Sequence, residues 1–422
     1  MKNGYKWIVL LLLSCAFFFH QADRAIFGLL TVPIQRDLSL SDVQIGWINT
    51  VLSWTLAGMA MIAGPVGDRF SRKWIITLSL ISWSLMTFVM GFVGDWRICG
   101  VTIPAFFVVM FFRSIATGVG ESFYGPCYPP LIAAYHRETR SLALSIHQGA
   151  LYFGLMTSGV LTAWMLGLLG SWRSVFMVFG GAGFSLGLFF VFALRDTKEA
   201  SAPADADAGA GFLSGVRFFF RTPTAICAMF GFVAIVFVNN AYLFWAPKYM
   251  AVKFGSSVGE AGAQTMLWHH LFAFAAILVG GVLTDKFVSR MPRFRIGFQA
   301  VAMICGAPCL VAIGFLPSAA AMIAMTAAYG VFRGFFEVNT HATLFDVVPS
   351  RYRSTAVGIF TVFAFLFGGL SGIVMGALSQ EYGVRGFEAG FAIMGCAYVA
   401  GAVSMAVAFF RFFRRDRLAD RD

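Results

Sequence analysis

Long apolar segments recur along the whole chain and are separated by short polar stretches. A helix that crosses a bilayer needs about 20 mostly apolar residues, and segments of that length follow one another from end to end. They cover residues 7–33, 42–66, 74–94, 103–135, 141–166, 173–194, 222–247, 263–285, 296–317, 320–348, 355–378 and 387–411. The pattern therefore predicts an all-α membrane protein with twelve transmembrane helices.

Composition and charge support a membrane protein and argue against a nucleic-acid-binding protein. Of 422 residues, 59% are hydrophobic and 12% are charged, and the mean hydropathy is +0.78. The net charge of +11 comes from Lys and Arg that are concentrated in the loops on one side of the predicted helices. The positive-inside rule then predicts an inner (plasma) membrane protein with both termini in the cytoplasm. Because membrane topology explains the basic residues, and no soluble domain exists to bind nucleic acid, we expect no nucleic-acid partner.

Charged residues inside the fourth predicted span indicate a polar centre. Arg113 and Glu121 lie in a segment that is apolar enough to cross the bilayer. An ionised side chain in the hydrocarbon core costs roughly 3 kcal/mol or more, so such residues turn toward partners or a water-filled path and indicate a transport site. Eight residues of α-helix separate the two by about 12 Å and 80°, which disfavours a direct pair. We expect Glu121 to bind Arg24 or another donor, or to hold a proton for part of a cycle.

The first span ends with three ionisable residues, His20, Asp23 and Arg24. His20 and Asp23 share a helical face, whereas Arg24 is rotated by about 100° from Asp23. One of these neighbours can therefore face a cavity while the other reaches another helix. Two interpretations stay open at this point: the pair serves a function, or it only connects two helices.

A glycine, an acid and several basic residues follow the second span. Gly64, Asp68, Arg69 and Arg72 belong to a stretch that reads G-x-x-x-D-R-x-x-R-K. Glycine allows helices to approach, and the charged groups suit helix ends at the cytoplasmic surface. The stretch resembles the loop between helices two and three of the major facilitator superfamily. The resemblance implies a gating role for these residues and for Asp285, which ends a shorter copy of the motif.

The second half of the sequence repeats parts of the first. Asp285 follows Asp68 by 217 positions, and residues 140–146 resemble residues 353–359. Six spans are therefore duplicated, which predicts two pseudo-symmetric six-helix bundles of the major facilitator fold. Parallel halves of this kind hold a substrate at their interface and alternate access by rocking. The predicted domains are an amino-terminal bundle at 1–194, a mobile cytoplasmic linker at 195–216 and a carboxy-terminal bundle at 217–422.

The fourth span resembles two branches of that superfamily. Residues 113–121 are similar to the R-x-x-x-G-x-G-E pattern of organic-anion/proton symporters and spinster-like transporters, and Asp23-Arg24 resembles the first-helix pair of both groups. The resemblance implies that Asp23 and Glu121 couple protons and that Arg24 and Arg113 recognise an anion. One departure is visible: the arginine of the pattern precedes the glutamate by seven residues, whereas Arg113 precedes Glu121 by eight.

Further polar candidates lie in other spans. Arg333 and Glu337 are one turn apart in the tenth span and can pair directly, so Glu337 is a candidate either for proton coupling or for a structural ion pair. The amide-containing segment of the seventh span suggests a gate or a cavity wall, although Trp245 would also suit a membrane interface. The other candidate substrate-binding residues are His20, His147, Gln148, Tyr152, Asn239, Tyr242, Trp245, Arg333 and His341.

These observations predict a secondary active transporter. The sequence has no P-loop and no recognisable nucleophile-base pair, which argues against a nucleotide-driven pump and against an enzyme. Three arginines within the spans favour a small organic anion, because guanidinium binds carboxylate in a bidentate manner. We expect proton symport of a carboxylate or sugar acid by a monomer, with the proton gradient as energy source and neither cofactor nor metal. The alternatives are a spinster-like transporter of lysolipids or amphiphiles, and a passive facilitator or receptor.

Overall fold

The computed structural model describes residues 4–195 and 208–418. Within these residues, twelve helices are long and apolar enough to cross a membrane, which confirms the predicted class. The spans are Tyr5–Leu29, Asp42–Gly64, Arg72–Phe92, Ala105–Tyr135, Leu142–Leu169, Trp172–Ala193, Pro223–Phe254, Val258–Val288, Phe294–Phe315, Ala319–Phe345, Ser350–Tyr382 and Val384–Asp416.

Serine residues begin several of these helices. At the second span, the Ser41 hydroxyl accepts the backbone N–H of Gln44, while the Ser41 N–H donates to the Gln44 side chain at 2.8 Å. This reciprocal arrangement satisfies two backbone donors that have no partner inside the helix. The hydroxyls of Ser71, Ser171 and Ser318 cap the third, sixth and tenth spans in a simpler way.

Short elements connect the spans. A helix at Thr31–Leu38 follows the first span, and strands Trp96–Ile98 and Val101–Ile103 form an antiparallel hairpin before the fourth. Cys99 and Gly100 turn this hairpin, both with positive φ, of 49° and 82°. Two consecutive positive φ values suit the right-handed twist of a two-residue hairpin.

Helix Ala208–Arg221 lies on the start of the eleventh span. Phe218 contacts Tyr352 with 5.4 Å between ring centroids, and Phe219 contacts Phe360 at 5.9 Å. The predicted linker 195–216 therefore contains the beginning of a packed helix, because aromatic residues at helical spacing give this segment an apolar face. The part of the predicted linker at 196–207 lies outside the described residues.

Several spans are interrupted or contain a short π-helical segment. The segments are Ala105–Val109, Met110–Ala116 (a π-helix), Thr117–Ser122 and Tyr124–Tyr135 in the fourth span; Ala319–Glu337 and Thr340–Phe345 in the tenth; Arg353–Gly368 and Leu370–Tyr382 in the eleventh; and Val384–Val407, Ala408–Phe412 (a π-helix) and Phe413–Asp416 in the twelfth. Interruptions of this kind concentrate at functional sites. Both the fourth and the tenth spans are interrupted close after a glutamate.

The described residues form two compact units. The first contains the chain up to residue 195 together with Leu243–Leu267, and the second contains residues 208–242 together with the chain from Trp268 onward. The predicted boundaries of the two bundles stay a prediction.

Small residues bring helices together within the first unit. A Cβ atom on Gly154 of the fifth span would lie 2.8 Å from the carbonyl oxygen of Phe18 in the first span, and one on Gly180 would meet the backbone of Phe88. Membrane helices commonly approach at such positions, because packing is their main source of association. These contacts hold the first span, which carries Asp23 and Arg24, against its neighbours.

Candidate functional site

Two crossed ion pairs join the first and fourth spans. Arg24 Nε donates to Glu121 Oε2 at 2.8 Å, and Arg113 Nη1 lies 3.9 Å from Asp23 Oδ2. Consecutive residues of the first span therefore bind opposite charges on the fourth. Asp23, Arg113 and Glu121 are each only 2% exposed. Glu121 has the partner that was expected from the sequence, and Arg113 is not paired with Glu121.

The π-helix explains how Arg113 reaches this position. The seven-residue stretch Met110–Ala116 is centred on Arg113, and the Thr117 hydroxyl donates to the Phe112 carbonyl at 2.8 Å. A π-helix holds more residues in each turn than an α-helix. It therefore absorbs the extra residue between Arg113 and Glu121 and brings the two closer to one face than the predicted 80°.

A hydroxyl, a backbone carbonyl and an imidazole complete the surroundings of the ion pairs. Thr87 of the third span donates to Asp23 Oδ1 at 2.9 Å, and Arg113 Nη2 donates to the Arg24 carbonyl at 3.2 Å. His20 Nε2 lies 3.7 Å from Glu121 Oε2. Because these groups come from three helices, the position of each charge depends on the packing between the helices.

Several polar atoms at the site have open bonding capacity. Among the described residues, no hydrogen-bond partner is found for Asp23 Oδ2, Glu121 Oε1, or Nε and Nη1 of Arg113. Buried polar groups are nearly always satisfied by protein or water, so four such atoms at one place need an explanation. Asp23 Oδ2 and Arg113 Nη1 face each other at 3.9 Å, whereas Glu121 Oε1 and Arg113 Nε offer an acceptor and a donor to a small polar ligand.

Glycines place Glu121 between the second and third spans. A Cβ atom on Gly118 would lie 3.0 Å from Thr55 Cγ2, and one on Gly120 would lie 3.0 Å from the backbone nitrogen of Trp83. The hydroxyl of Ser79 donates to the Gly120 carbonyl. The G-x-G-E sequence is thus a close-approach motif that delivers a carboxylate into the interior of the first unit.

A stack of aromatic rings lies near this site. The His147 ring stacks on Tyr128 and Phe17, with centroid distances of 4.1 and 4.4 Å, and its Nε2 lies 3.1 Å from the Tyr124 hydroxyl. His147 is fully buried in this stack. Of the other two candidates in the fifth span, Tyr152 is buried and Gln148 is exposed.

The second unit holds a different charged cluster. Arg333 Nη2 lies 3.4 Å from Glu337 Oε2 on the same helix, and Arg333 Nη1 lies 2.9 Å from His269 Nε2 of the eighth span. A Cβ atom on Gly330 would clash with the carbonyl oxygen of His269. This glycine therefore lets the eighth and tenth spans approach, and the Arg333–Glu337 contact is the pair that helical spacing predicted.

His341 does not continue the helical face of Arg333 and Glu337, although its spacing of four residues from Glu337 would place it there in an unbroken helix. The helix ends at Glu337, and His341 belongs to the separate helix Thr340–Phe345, where it is exposed. Asn339 lies in the interruption and donates to the Thr284 hydroxyl at 3.0 Å. An Asn that bonds a neighbouring helix competes with regular helical geometry, and periodicity counted in residues does not extend across such a break.

Tyrosines extend the Arg333 cluster. His269 stacks on Tyr329 at 5.0 Å and contacts Tyr242 at 4.5 Å between centroids, and the hydroxyls of Tyr329 and Tyr398 are 3.0 Å apart. Tyr242 was a candidate from the sequence. His269, Tyr329 and Tyr398 were not, although Tyr329 precedes Arg333 by one helical turn, which is a signal that could have found it.

A family model for the Major Facilitator Superfamily matches residues 12–320. The chain belongs to the major facilitator superfamily. Membership makes it a membrane transporter rather than an enzyme, and transporters of this superfamily generally need no cofactor. Among the described residues, no group of three or more His, Cys, Asp or Glu side chains is placed to hold a metal ion.

Relatives come from two branches of this major facilitator family. The chain is 24% identical over 424 residues to the probable galactarate/D-glucarate transporter GarP of Escherichia coli (strain K12), covering 94% of this chain and 93% of the relative. It is 26% identical over 422 residues to protein spinster homolog 1 of Xenopus tropicalis, covering 91% and 76% respectively.

Solved structures show the same fold. A bacterial homolog of the human lysosomal transporter spinster, in an inward-facing and occupied conformation, superposes with a TM-score of 0.84 at 20% identity over 99% of both chains. The D-xylose–proton symporter superposes with a TM-score of 0.76 at 16% identity, over 97% of this chain and 98% of that one. The major facilitator fold is thereby confirmed.

The motif residues of this major facilitator protein are described only in part. Gly64 and Arg72 are half-buried and Asp285 is exposed. The side chains of Asp68 and Arg69 lie outside the described part of the structure. The gating role of these five residues stays a prediction.

The seventh span contributes groups to both units. Asn239 is half-buried in the second unit, whereas Trp245 is fully buried in the first. Near Trp245, Lys248 binds Asp42 and donates to the Gln35 side chain at 2.7 Å. Lys248 and Asp42 are largely buried charges that sequence reasoning missed, because each lies at the end of a predicted span and not at its centre.

Proposed function

We propose that this protein is a secondary active transporter that moves a small organic anion, a carboxylate or a sugar acid, inward together with protons by alternating access. The crossed ion pairs of the first unit carry the proposal, since Asp23, Arg113 and Glu121 are buried there and each has a polar atom without a hydrogen-bond partner, while the partly exposed Arg24 binds Glu121. Anion and proton would thus be bound by groups in direct contact with one another.

Coupling would arise from competition for Arg24. The Arg24 guanidinium, with 22% of its side chain exposed, binds Glu121, whose side chain is fully buried. A substrate carboxylate that reaches Arg24 competes with Glu121 for the guanidinium. Because a buried carboxylate without a cation is costly when charged, release from Arg24 favours proton uptake by Glu121. Asp23 and Arg113 would repeat this exchange at the second pair.

The chemistry of the site suits an anion with hydroxyl groups. Guanidinium binds carboxylate in a bidentate manner, and His20 adds an imidazole whose Nε2 lies 3.7 Å from Glu121 Oε2. The relative in Escherichia coli is described as a probable transporter of galactarate and D-glucarate, which are sugar acids. In the second unit, we assign further substrate contacts to Arg333, Tyr242 and Asn239, and a secondary proton site to Glu337.

The setting of this function follows from the membrane topology that we propose. The basic loops favour the inner (plasma) membrane with both termini in the cytoplasm. The proton gradient across that membrane would supply the energy. We propose that the protein works as a monomer, with the stretch around Asp68 and Arg69 and its counterpart at Asp285 controlling access.

Uptake into proteoliposomes tests the proposal. Purified protein is reconstituted and supplied with labelled galactarate, D-glucarate or lysophosphatidylcholine, with the outside either acidified or at the internal pH. We expect an acid outside to drive accumulation of a sugar acid above equilibrium. Glu121→Gln should abolish this accumulation and retain counterflow exchange, whereas Glu260→Gln, which removes an exposed carboxylate at the start of the eighth span, should transport as the wild type does.

Other outcomes would overturn particular parts. Accumulation that persists in Glu121→Gln would refute the proton role of that acid. Transport of lysophosphatidylcholine without sugar acids would support the spinster-like alternative. Equilibration that ignores the gradient would indicate a passive facilitator, and binding without any uptake would indicate a receptor.

A further inference from the structure

An apolar groove lies on the surface of the second unit, along its membrane-spanning helices. It lies between the ninth and twelfth spans, measures about 500 Å³ and is lined only by apolar residues, among them Gly297, Val301, Ile304, Val403, Ala406 and Phe410. Val301 is 58% exposed and Phe410 is 78% exposed. These side chains are accessible from outside the protein, so hydrocarbon of the bilayer can enter the groove.

A basic pocket continues the groove at one end. This second cavity measures about 490 Å³, shares Met291 and Phe409 with the groove, and is lined by Arg290, Arg293, Arg414 and Arg417. The sequence places these arginines in the loop between the eighth and ninth spans and at the end of the twelfth. The positive-inside rule assigns both segments to the cytoplasmic side.

The guanidinium groups of the pocket can contact an anion that is not part of the protein. Arg293 Nη1 donates to the Phe409 carbonyl at 3.2 Å, and its guanidinium lies 5.4 Å from the centroid of the Phe409 ring. This contact holds Arg293 where the pocket meets the groove. Arg290, Arg414 and Arg417 are exposed, so their guanidinium groups are accessible to a ligand from the membrane surface.

Neighbouring carboxylates are engaged by other groups. Asp416 binds Arg415 at 2.9 Å and accepts the backbone N–H and the hydroxyl of Thr224, each at 2.9 Å. Asp346 binds Arg295 at 2.7 Å. Burial raises the pKa of Asp346, while the guanidinium groups of Arg295 and of the pocket residue Arg417 oppose that shift. Asp416 thus leaves the pocket arginines to a ligand, whereas Asp346 partly neutralises Arg417.

We propose that the groove and its basic pocket bind one anionic phospholipid, with an acyl chain between the ninth and twelfth spans and the phosphate on the arginines. A soluble anion would leave the apolar groove empty, and a zwitterionic lipid would bring its own cation to the guanidinium groups. Basic pockets between transmembrane helices on the cytoplasmic side bind anionic headgroups for this reason. The site uses none of the residues that form the transport site proposed above.

Ligand stabilisation of the purified full-length protein in detergent tests the site. Dioleoyl-phosphatidylglycerol, dioleoyl-phosphatidylcholine and inorganic phosphate are titrated separately while the melting temperature is followed, since a ligand of the folded state stabilises it by mass action. We expect phosphatidylglycerol to raise the melting temperature at lower concentration than phosphatidylcholine. Inorganic phosphate should have no such effect.

Three variants locate the effect. Arg290→Gln/Arg414→Gln should raise the half-saturating concentration of phosphatidylglycerol about tenfold or more, given the attraction of each basic residue to anionic lipid. Val301→Trp should fill the groove and weaken both lipids. The control Lys286→Gln/Arg351→Gln removes two exposed charges outside the pocket and should behave as the wild type.

Three results would overturn the proposal. The first is equal stabilisation of the wild-type protein by the two lipids, which needs no variant. The second is an equal response of the Arg290/Arg414 variant and its control. The third is a shift produced by inorganic phosphate alone that Val301→Trp leaves unchanged, which would identify an anion site without a lipid.

Discussion

Glu121 and Glu337 occupy corresponding positions of the two sequence repeats, 216 residues apart, but they bind their cations differently. The partner of Glu121 is Arg24 on another helix, at 2.8 Å, and the glutamate side chain is fully buried. The partner of Glu337 is Arg333, one turn away on its own helix at 3.4 Å, and 32% of this glutamate side chain is exposed.

This difference makes the Glu121 pair easier to break during a transport cycle than the Glu337 pair, which is why we assign Glu337 only a secondary proton site. An ion pair within one helix persists when helices or ligands move, because both groups move together. An ion pair between helices breaks when a ligand or a helix shift withdraws one partner, and the buried charge left behind then needs a proton. The first pair is therefore suited to coupling, while the second mainly neutralises Arg333 beside His269.

The largest effect should follow from removal of Arg24. Arg24→Ala leaves the buried Glu121 without its main cation, and loss of one partner of a buried pair costs about 3 to 5 kcal/mol. Thermal unfolding in detergent should show this loss. The matched change Arg333→Ala should cost less, since water reaches Glu337.

The double variant Arg24→Ala/Glu121→Gln is the control for this interpretation. It should recover part of the lost stability, because no uncompensated carboxylate remains. If the double variant were less stable than Arg24→Ala alone, the cost would not come from the stranded charge.

An intermediate effect is expected when Glu337 is neutralised. Partly exposed ion pairs contribute about 1 kcal/mol or less, so Glu337→Gln should slow gradient-driven uptake by less than about tenfold. The same proteoliposome assay compares it with Glu121→Gln. Complete uncoupling by Glu337→Gln would reverse the assignment of the two acids.

The smallest effects should come from single hydroxyl groups at the two clusters. Thr87→Val removes the hydrogen bond to Asp23, and Tyr398→Phe removes the contact with the Tyr329 hydroxyl. Each should lower stability by about 0.5 kcal/mol, the lower end of the net contribution of a hydrogen bond, as measured by thermal unfolding. Only Thr87→Val should also change the pH dependence of uptake, because only Thr87 bonds a proposed proton carrier; equal pH profiles in all three proteins would contradict this.

Much of the site was predictable because it follows local rules. Apolar length determines the spans, spacing of one turn predicts the Arg333–Glu337 pair, and a buried acid that cannot reach Arg113 points to Arg24. The remaining features depend on more than local spacing. The π-helix at Met110–Ala116 and the interruption after Glu337 change the helical register, and residue counting assumes that the register is constant.

The sequence by itself determined which segments cross the membrane and which charges enter it, since both depend on the transfer of side chains from water to hydrocarbon. The tertiary structure decided which charge meets which partner. Asp23 and Arg24 are neighbours in the chain, yet they bind residues eight positions apart on another helix. Thr87 donates to Asp23 from a third helix. Such contacts depend on how helices pack around glycines and on the π-helix in the fourth span. Neither can be derived from the hydropathy of the sequence.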